Sequence, residues 1–289
     1  MKVHCVQCDG ENIVDFDKLK NLEFIKCSSC GEYFNLFGLY WSLYEKIPLC
    51  KKMVDIFVQN LYSNYVIELE SSNNVKDVDQ IRKILLNNSF CEQLKQIIFD
   101  TVLYGNSFLH VNKTLNLIRL EPSKLEILID WVQRKPARGF YPEIVKINEF
   151  NKSSKKYNFK DILHFIGESS ISGPIGDSIC GFWFDSWYIV RDAPIPLLLM
   201  KSNGVDVSSF ENFRDFEESG IMGAAGIPYK LIFPWYQIDP SVDQREQQRF
   251  LDEIKRRRHQ ISRVLEREYF PKILKKKFST DNFPRFLFT

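Results

Sequence analysis

The chain has 289 residues, of which 44% are hydrophobic and 14% aromatic. This composition predicts a globular protein with a substantial core, in one large domain or two modest ones. The net charge of +2 excludes a protein that binds nucleic acid through its overall charge alone. No apolar run approaches the ~18 residues of a membrane span, and no export signal is present, so we expect synthesis in a cytoplasm.

Four cysteines near the N-terminus have the spacing of a metal site. Cys5 and Cys8 form one CxxC pair, Cys27 and Cys30 form another, and eighteen residues separate the pairs. Two such turns facing each other complete a tetrahedron of sulfur around zinc, which predicts a structural zinc ribbon over residues 1–34. Four thiolates leave no open position for a catalytic water. The alternative, two disulfides, is disfavoured by the lack of an export signal.

A glycine follows each pair of cysteines, as Gly10 and Gly31, and would let backbone amides turn towards the sulfurs. The segment between the pairs has few large apolar residues, too few for about 30 residues to fold alone. Zinc binding supplies roughly 10–16 kcal/mol at neutral pH, which would decide folding of the ribbon.

Helical patterns follow the ribbon. Pro48 is placed to open a helix, with an apolar stripe that runs to Leu61 and on to Tyr65. A short helix is predicted over Asp77–Leu86, and Ser89 is placed to cap another over Phe90–Tyr104.

The pattern then changes to strands, which predict one small antiparallel sheet. Its predicted members are Ser107–Asn112, Leu115–Leu120, Leu125–Ile129, Tyr141–Phe150 and Ile162–Ile166, with a polar turn at Ser153–Lys156. Helical patterns return at residues 177–191, 208–225 and 242–269, with a short strand at 197–201 between the first two. The sequence thus predicts an α+β fold, mainly helical, with a small antiparallel sheet.

No constellation of catalytic residues can be assembled, so the protein is not expected to be an enzyme. The two strand histidines, His110 and His164, are more typical of packed structural residues than of catalysts.

Basic residues cluster late in the chain. Ser241–Thr289 contains thirteen lysines and arginines against seven acidic residues, and four of the basic residues are consecutive: Lys255, Arg256, Arg257 and Arg258. One interpretation of this run is a nucleic-acid contact. The other is a salt-bridged helix, in which Asp252 pairs with Arg256 and Glu253 with Arg257 four residues apart.

Several segments, in their order along the chain, resemble those of tailed-bacteriophage portal proteins, the head-to-tail connectors. The resemblance covers residues 36–289, and each segment alone has only a few matching letters. The segments are Tyr44–Val66 with Pro48 and Val54-Asp55, Leu103-Tyr104-Gly105-Asn106-Ser107-Phe108, Leu117–Pro122, Asp161-Ile162-Leu163-His164-Phe165, Gly173–Ser178, Tyr188–Pro194, Phe213–Pro228 ending in Gly226-Ile227-Pro228, and Gln247–Leu274.

The resemblance implies a portal-like body over 35–289, with a wing at 35–172 and 209–289 and a shortened stem and clip at about 173–208. Such a chain would form a closed ring, normally of about twelve subunits, at one capsid vertex of a virion. The implied partners are further copies of the chain, the major capsid protein, neck or adaptor proteins and double-stranded DNA bound without sequence preference. Terminase docking is the least supported partnership, because the clip is short. The alternative function is a zinc-ribbon regulatory protein that binds nucleic acid.

Overall fold

The computed structural model describes residues 2–5, 7–14, 24–68, 75–128, 144–147, 155–158, 161–167, 178, 226–234, 239–275 and 284–289. The predictions for 177–191, 197–201 and 208–225, including most of the implied stem and clip, lie outside the described residues. No described helix is both long and apolar enough to cross a membrane.

The N-terminal ribbon consists of two short antiparallel hairpins. β1 (Lys2–His4) pairs with β2 (Glu11–Ile13), and β3 (Ile25–Lys26) pairs with β4 (Tyr33–Phe34). Each hairpin carries one CxxC pair at its turn, so the strands hold the two turns in place.

Four helices form the first part of the body: α1 (Leu36–Lys46), α2 (Pro48–Leu61), α3 (Val75–Asn87) and α4 (Phe90–Leu103). Pro48 opens α2 as predicted, but Tyr65 lies in strand β5 (Tyr65–Glu68) and not on the helical stripe. The predicted cap at Ser89 is wrong. Ser89 precedes α4 in a left-handed conformation with φ 49°, and its side chain makes no capping hydrogen bond.

Strands of the body form two three-stranded antiparallel sheets and one two-stranded sheet, not a single small sheet. The strands of the three-stranded sheets are β6 (Asn106–Val111), β7 (Leu117–Leu120), β8 (Leu125–Leu128), β9 (Ile144–Ile147), β10 (Lys155–Asn158) and β11 (Ile162–Ile166). The first sheet has the order β11-β6-β7 and the second β10-β9-β8. The predicted polar turn at Ser153–Lys156 is wrong in its second half, since β10 begins at Lys155.

The C-terminal part is dominated by one long helix. α5 (Tyr229–Ile232) is a single turn, and α6 (Pro240–Val264) continues through a π-helical segment (Leu265–Tyr269) into α7 (Phe270–Leu274). Asp239 caps α6 by accepting a hydrogen bond from the Ser241 amide. The last strand, β12 (Arg285–Phe288), pairs with β5. The sequence did not predict this strand, because its partner lies far away near the start of the chain.

One apolar core joins the ribbon, the helices and most of the strands. Phe57 of α2 meets Phe250 of α6 edge to face at 5.0 Å, and Tyr65 of β5 stacks on Phe286 of β12 at 4.8 Å. Phe57, Phe250 and Phe286 are buried, and each fully buried aromatic contributes roughly 1.5–3 kcal/mol by burial. The fold is therefore α+β, as predicted.

Candidate metal centre and basic helix

The two cysteine turns are built on the same backbone pattern. In the first, the Asp9 amide donates to the Cys5 carbonyl and the Cys5 amide donates to the Gly10 carbonyl, both at 3.0 Å. In the second, the Gly31 amide donates to the Cys27 carbonyl at 3.0 Å and the Cys27 amide to the Glu32 carbonyl at 2.7 Å. These bonds close each turn around its cysteine pair. The left-handed position that follows each pair is held by Asp9 (φ 58°) and Gly31 (φ 78°).

The four sulfur atoms converge on one point. All four ligand atoms lie within 4.8 Å of one another, with Cys5 Sγ 3.6 Å from Cys30 Sγ and Cys8 Sγ 3.7 Å from Cys27 Sγ. A tetrahedral site with Zn–S bonds of about 2.3 Å requires sulfur–sulfur separations of about 3.8 Å. The four thiols are free, not joined as disulfides. Within the described part of the chain, this is the one cluster of three or more histidine, cysteine or acidic residues close enough to hold a metal ion.

Hydrogen bonds to sulfur favour the thiolate at one of these cysteines. The amides of Cys30 and Ser29 and the side chain of Asn12 donate to Cys27, which lowers the pKa of that thiol to about 5. At Cys30 the Glu32 amide acts in the same direction, but desolvation and the three neighbouring thiols raise its pKa to about 12. Without a cation, the cluster thus resists full ionisation. A divalent metal at its centre would reverse this, because it binds deprotonated thiols.

Gly10 provides space between the two turns. A Cβ atom there would lie 2.5 Å from Ser29 Oγ and 2.8 Å from Ser29 Cβ, whereas at Gly31 the nearest atom is 3.9 Å away. The sequence predicted one shared role for the two glycines, but the structure separates them. Gly31 is required by its positive φ, and Gly10 is required because Ser29 of the other turn packs against it.

Gly10→Ala is expected to lower the free energy of unfolding by about 1–3 kcal/mol, the usual cost of overpacking. Ser29→Gly in the same chain should restore most of this loss, because it removes the two closest atoms and leaves only Cys8 Sγ, at 3.2 Å, near the new Cβ. Gly31→Ala is the matched control, since its cost comes from backbone strain and Ser29→Gly should not relieve it. Denaturant unfolding of Gly10→Ala and Gly31→Ala, each with and without Ser29→Gly, measures the coupling between position 29 and each glycine. Equal effects of Ser29→Gly on both alanine variants would contradict the prediction.

The ribbon packs on the body. Its buried residues Val3, Cys5 and Phe34 belong to the same apolar cluster as Phe37 of α1. Asn35, fully buried between the two, accepts a hydrogen bond from the Gly38 amide through Oδ1 and donates to the Leu125 carbonyl through Nδ2. The end of the ribbon is therefore fixed to both α1 and β8.

The four consecutive basic residues of α6 face different directions. Arg257 is buried, donates to Glu253 and lies 5.2 Å above the Phe57 ring. Arg258 donates to the carbonyls of Leu61 at 3.1 Å and Asn60 at 2.9 Å, which closes the C-terminus of α2. The predicted pair Glu253–Arg257 is present.

Arg256 also pairs with Glu253, not with Asp252 as predicted, and Asp252 accepts from Gln248. Lys255 is exposed and has no hydrogen bond or ion pair with any described residue. Two residues of the run, Arg256 and Arg257, therefore form salt bridges within the helix, and Arg258 binds the end of α2. A nucleic-acid contact by the four residues together stays a prediction.

Comparison with known proteins gives a likeness in fold and none in sequence family. No family model matches the chain, and no curated protein matches it. Among solved structures, a chain of the virion of a native gene transfer agent (GTA) particle is similar, with a TM-score of 0.51 and 10% identity. The likeness covers 81% of this chain and 79% of that one. A chain of the neck of an empty GTA particle matches more weakly, with a TM-score of 0.40, 12% identity and coverage of 56% and 46%.

This chain thus shares the fold of a chain in the GTA virion. Two segments noted for their resemblance to portal proteins lie side by side in that fold. β6, which follows Tyr104-Gly105, pairs along its length with β11, which carries His164. His164 is buried, stacks on Phe108 at 4.4 Å, and burial lowers its pKa to about 3. It is therefore neutral at physiological pH and packed into the core, in keeping with the structural role predicted for it.

One polar centre was missed by the sequence analysis. Asp100 of α4 is fully buried and accepts two hydrogen bonds from Arg119 of β7, at 2.9 Å from Nε and 2.7 Å from Nη2. Gln96 and Ser107 also donate to it. This network joins α4 to β6 and β7 and is a structural feature of the body.

Proposed function

We propose that this chain is a portal-like structural protein of a phage-like particle, a subunit of a ring through which DNA passes at one capsid vertex. The observation that supports the proposal best is the likeness to a GTA virion chain, because it extends over 81% of this chain and 79% of the other. The portal-like segments support it as well, since two of them, at β6 and β11, are paired side by side in the body.

In this proposal the protein works by assembly and not by chemistry. Copies of the chain make head-to-tail contacts that close into a ring, of about twelve subunits by the portal resemblance. The capsid protein and neck proteins bind its outer surfaces, and DNA passes through the centre. Contacts with DNA must be sequence-blind and individually weak, because a packaged genome has to slide.

The four cysteines are proposed to hold one structural zinc ion. Their sulfur separations fit a tetrahedral thiolate site, and four thiolates leave no coordination position open for water. Zinc would stabilise the ribbon and, through Asn35 and the shared core, the start of α1. The alternative function, a zinc-ribbon regulator that binds nucleic acid, has less support. Residues 1–34 carry four basic residues against six acidic ones, before the thiolates are counted.

Electron microscopy of the purified full-length protein tests the ring. Negatively stained protein, taken at increasing concentration, is expected to show closed rings with a central channel, and light scattering should give the mass of a homo-oligomer. Because such subunits can need a scaffold to assemble, particles from cells that make the protein provide the second measurement, with the chain expected at one vertex. A monomeric mass at all concentrations together with its absence from particles would overturn the proposal.

A further inference from the structure

The solvent face of α6 carries a stripe of arginines that does not coincide with the consecutive basic run. The exposed residues recur three or four positions apart along the helix and into the π-helical segment. They are Arg245, Arg249, Asp252, Arg256, His259, Arg263 and Arg267. We call this set the arginine stripe; it contains five arginines against one aspartate.

The stripe faces away from the core. The buried positions of α6 are Phe250, Ile254, Arg257 and Ile261, which contact the rest of the body. At 100° per residue these positions lie on the opposite side of the helix from the stripe. The arginine stripe is therefore presented to solvent by a helix that is held rigidly on its other side.

Most of the arginines on the stripe form no ion pair with the part of the chain that the structure describes. Arg249, Arg263 and Arg267 are exposed and make no hydrogen bond or ion pair with any described residue. Arg245 donates to a backbone carbonyl of its own helix, and among the described residues Arg256 is the one member that pairs with an acidic side chain. Asp252 is the one acidic residue on the stripe.

The spacing suits a phosphate backbone. At 1.5 Å per residue, Arg245 and Arg263 lie about 27 Å apart along the helix, which equals about eight base pairs of duplex DNA at 3.4 Å each. Guanidinium groups bind phosphate oxygens in a planar, bidentate manner and keep their charge at all physiological pH values. The stripe therefore presents a rigid row of mainly positive charge with the spacing and chemistry that a run of phosphates requires.

We infer that the arginine stripe is a sequence-independent contact for the phosphate backbone of double-stranded DNA. The inference rests on the proposed function, because a packaged genome is the polyanion that such a particle contains. It assigns the contact to one face of α6, and the consecutive run 255–258 shares only Arg256 with that face. An acidic protein surface is the competing occupant that the experiment must distinguish.

The test compares two triple variants of the full-length protein with equal loss of charge. Arg249, Arg263 and Arg267 are changed to Gln in the first. Lys76, Lys83 and Lys113, which are exposed lysines of α3 and the β6–β7 turn, are changed to Gln in the second. Binding to a fluorescent 20-base-pair duplex of arbitrary sequence is measured by anisotropy from about 50 to 300 mM salt. Each lost phosphate contact should make the slope of log K against log salt shallower by about 0.9.

The stripe variant is expected to have a slope shallower by about 2.7 than the unchanged protein, and the lysine variant an unchanged slope. Equal slopes for both variants, or no binding of the unchanged protein at 50 mM salt, would overturn the inference. An unchanged salt slope for DNA in a stripe variant that has lost binding to a capsid or neck protein would also overturn the inference, because it would assign the stripe to an acidic protein surface. Electron microscopy of the same variants separates the two proposals. If the stripe variant forms rings and its salt slope is unchanged, only the inference about the arginine stripe is wrong. If the unchanged protein forms no rings, the result counts against the proposed function.

Discussion

Cys27→Ser is expected to abolish stoichiometric zinc binding and to unfold the ribbon. Cys27 is the most constrained of the four ligands, because its sulfur accepts hydrogen bonds from two amides and from Asn12. The metal contributes roughly 10–16 kcal/mol to folding at neutral pH in small zinc domains, far more than the few buried side chains of the ribbon can replace. Elemental analysis should find about one zinc per chain in the unchanged protein and a small fraction of that in the variant.

Cys91→Ser is the matched control, since Cys91 is an exposed free thiol of α4 far from the cluster in sequence. It should leave the zinc content and the stability unchanged. Hydrogen exchange then locates the damage in Cys27→Ser. Protection should fall across residues 2–14 and 24–34 and at the start of α1, where Asn35 links the ribbon to the body, while α6 keeps its protection. Two disulfides found by mass spectrometry in the native protein would refute the zinc site.

The cysteine spacing predicted the clustering of the four sulfur atoms because each CxxC turn is local in sequence. Each CxxC pair forms its own turn from residues that are adjacent in sequence. The one long-range requirement is that the two turns face each other. The body was predicted less well where pairing with a distant segment decides whether a residue lies in a strand. β10 is polar and resembles a turn until β9 pairs with it, and β12 becomes a strand through β5, near the other end of the chain. The cap at Ser89 failed for a related reason, since the preceding turn fixes its backbone in a left-handed conformation.

The basic helix α6 shows why consecutive charged residues in a sequence do not define a charged surface patch. Four consecutive residues of a helix point in four directions, 100° apart. Arg257 therefore lies against Phe57 in the core, and Arg258 closes α2, although both look like members of one charged patch in the sequence. Residues on one face recur every three or four positions, so the stripe from Arg245 to Arg267 is spread through other letters and becomes clear only with the burial of each position.

Asp100→Ala is expected to lower the free energy of unfolding of the body by about 3–5 kcal/mol, the cost of breaking a buried ion pair from one side. The change leaves the guanidinium of Arg119 without its carboxylate and the buried hydroxyl of Ser107 without its acceptor. Burial raises the pKa of the Asp100 carboxyl even with Arg119 beside it, so desolvation of this group is already costly in the native protein. Denaturant unfolding with an unchanged m-value measures the loss.

The double variant Asp100→Ala with Arg119→Ala separates the ion pair from the packing around it. If the loss comes from a stranded charge, the double variant should be less destabilised than the sum of the two single variants, by a coupling energy of about 0.5–3 kcal/mol. The exposed pair of Glu121 and Lys124 provides the control. Lys124→Ala should cost less than about 1 kcal/mol, because solvent screens that interaction. Strict additivity at Asp100 and Arg119 would mean that the loss reflects side-chain volume alone, and that the network holding α4 to β6 and β7 is not electrostatic in origin.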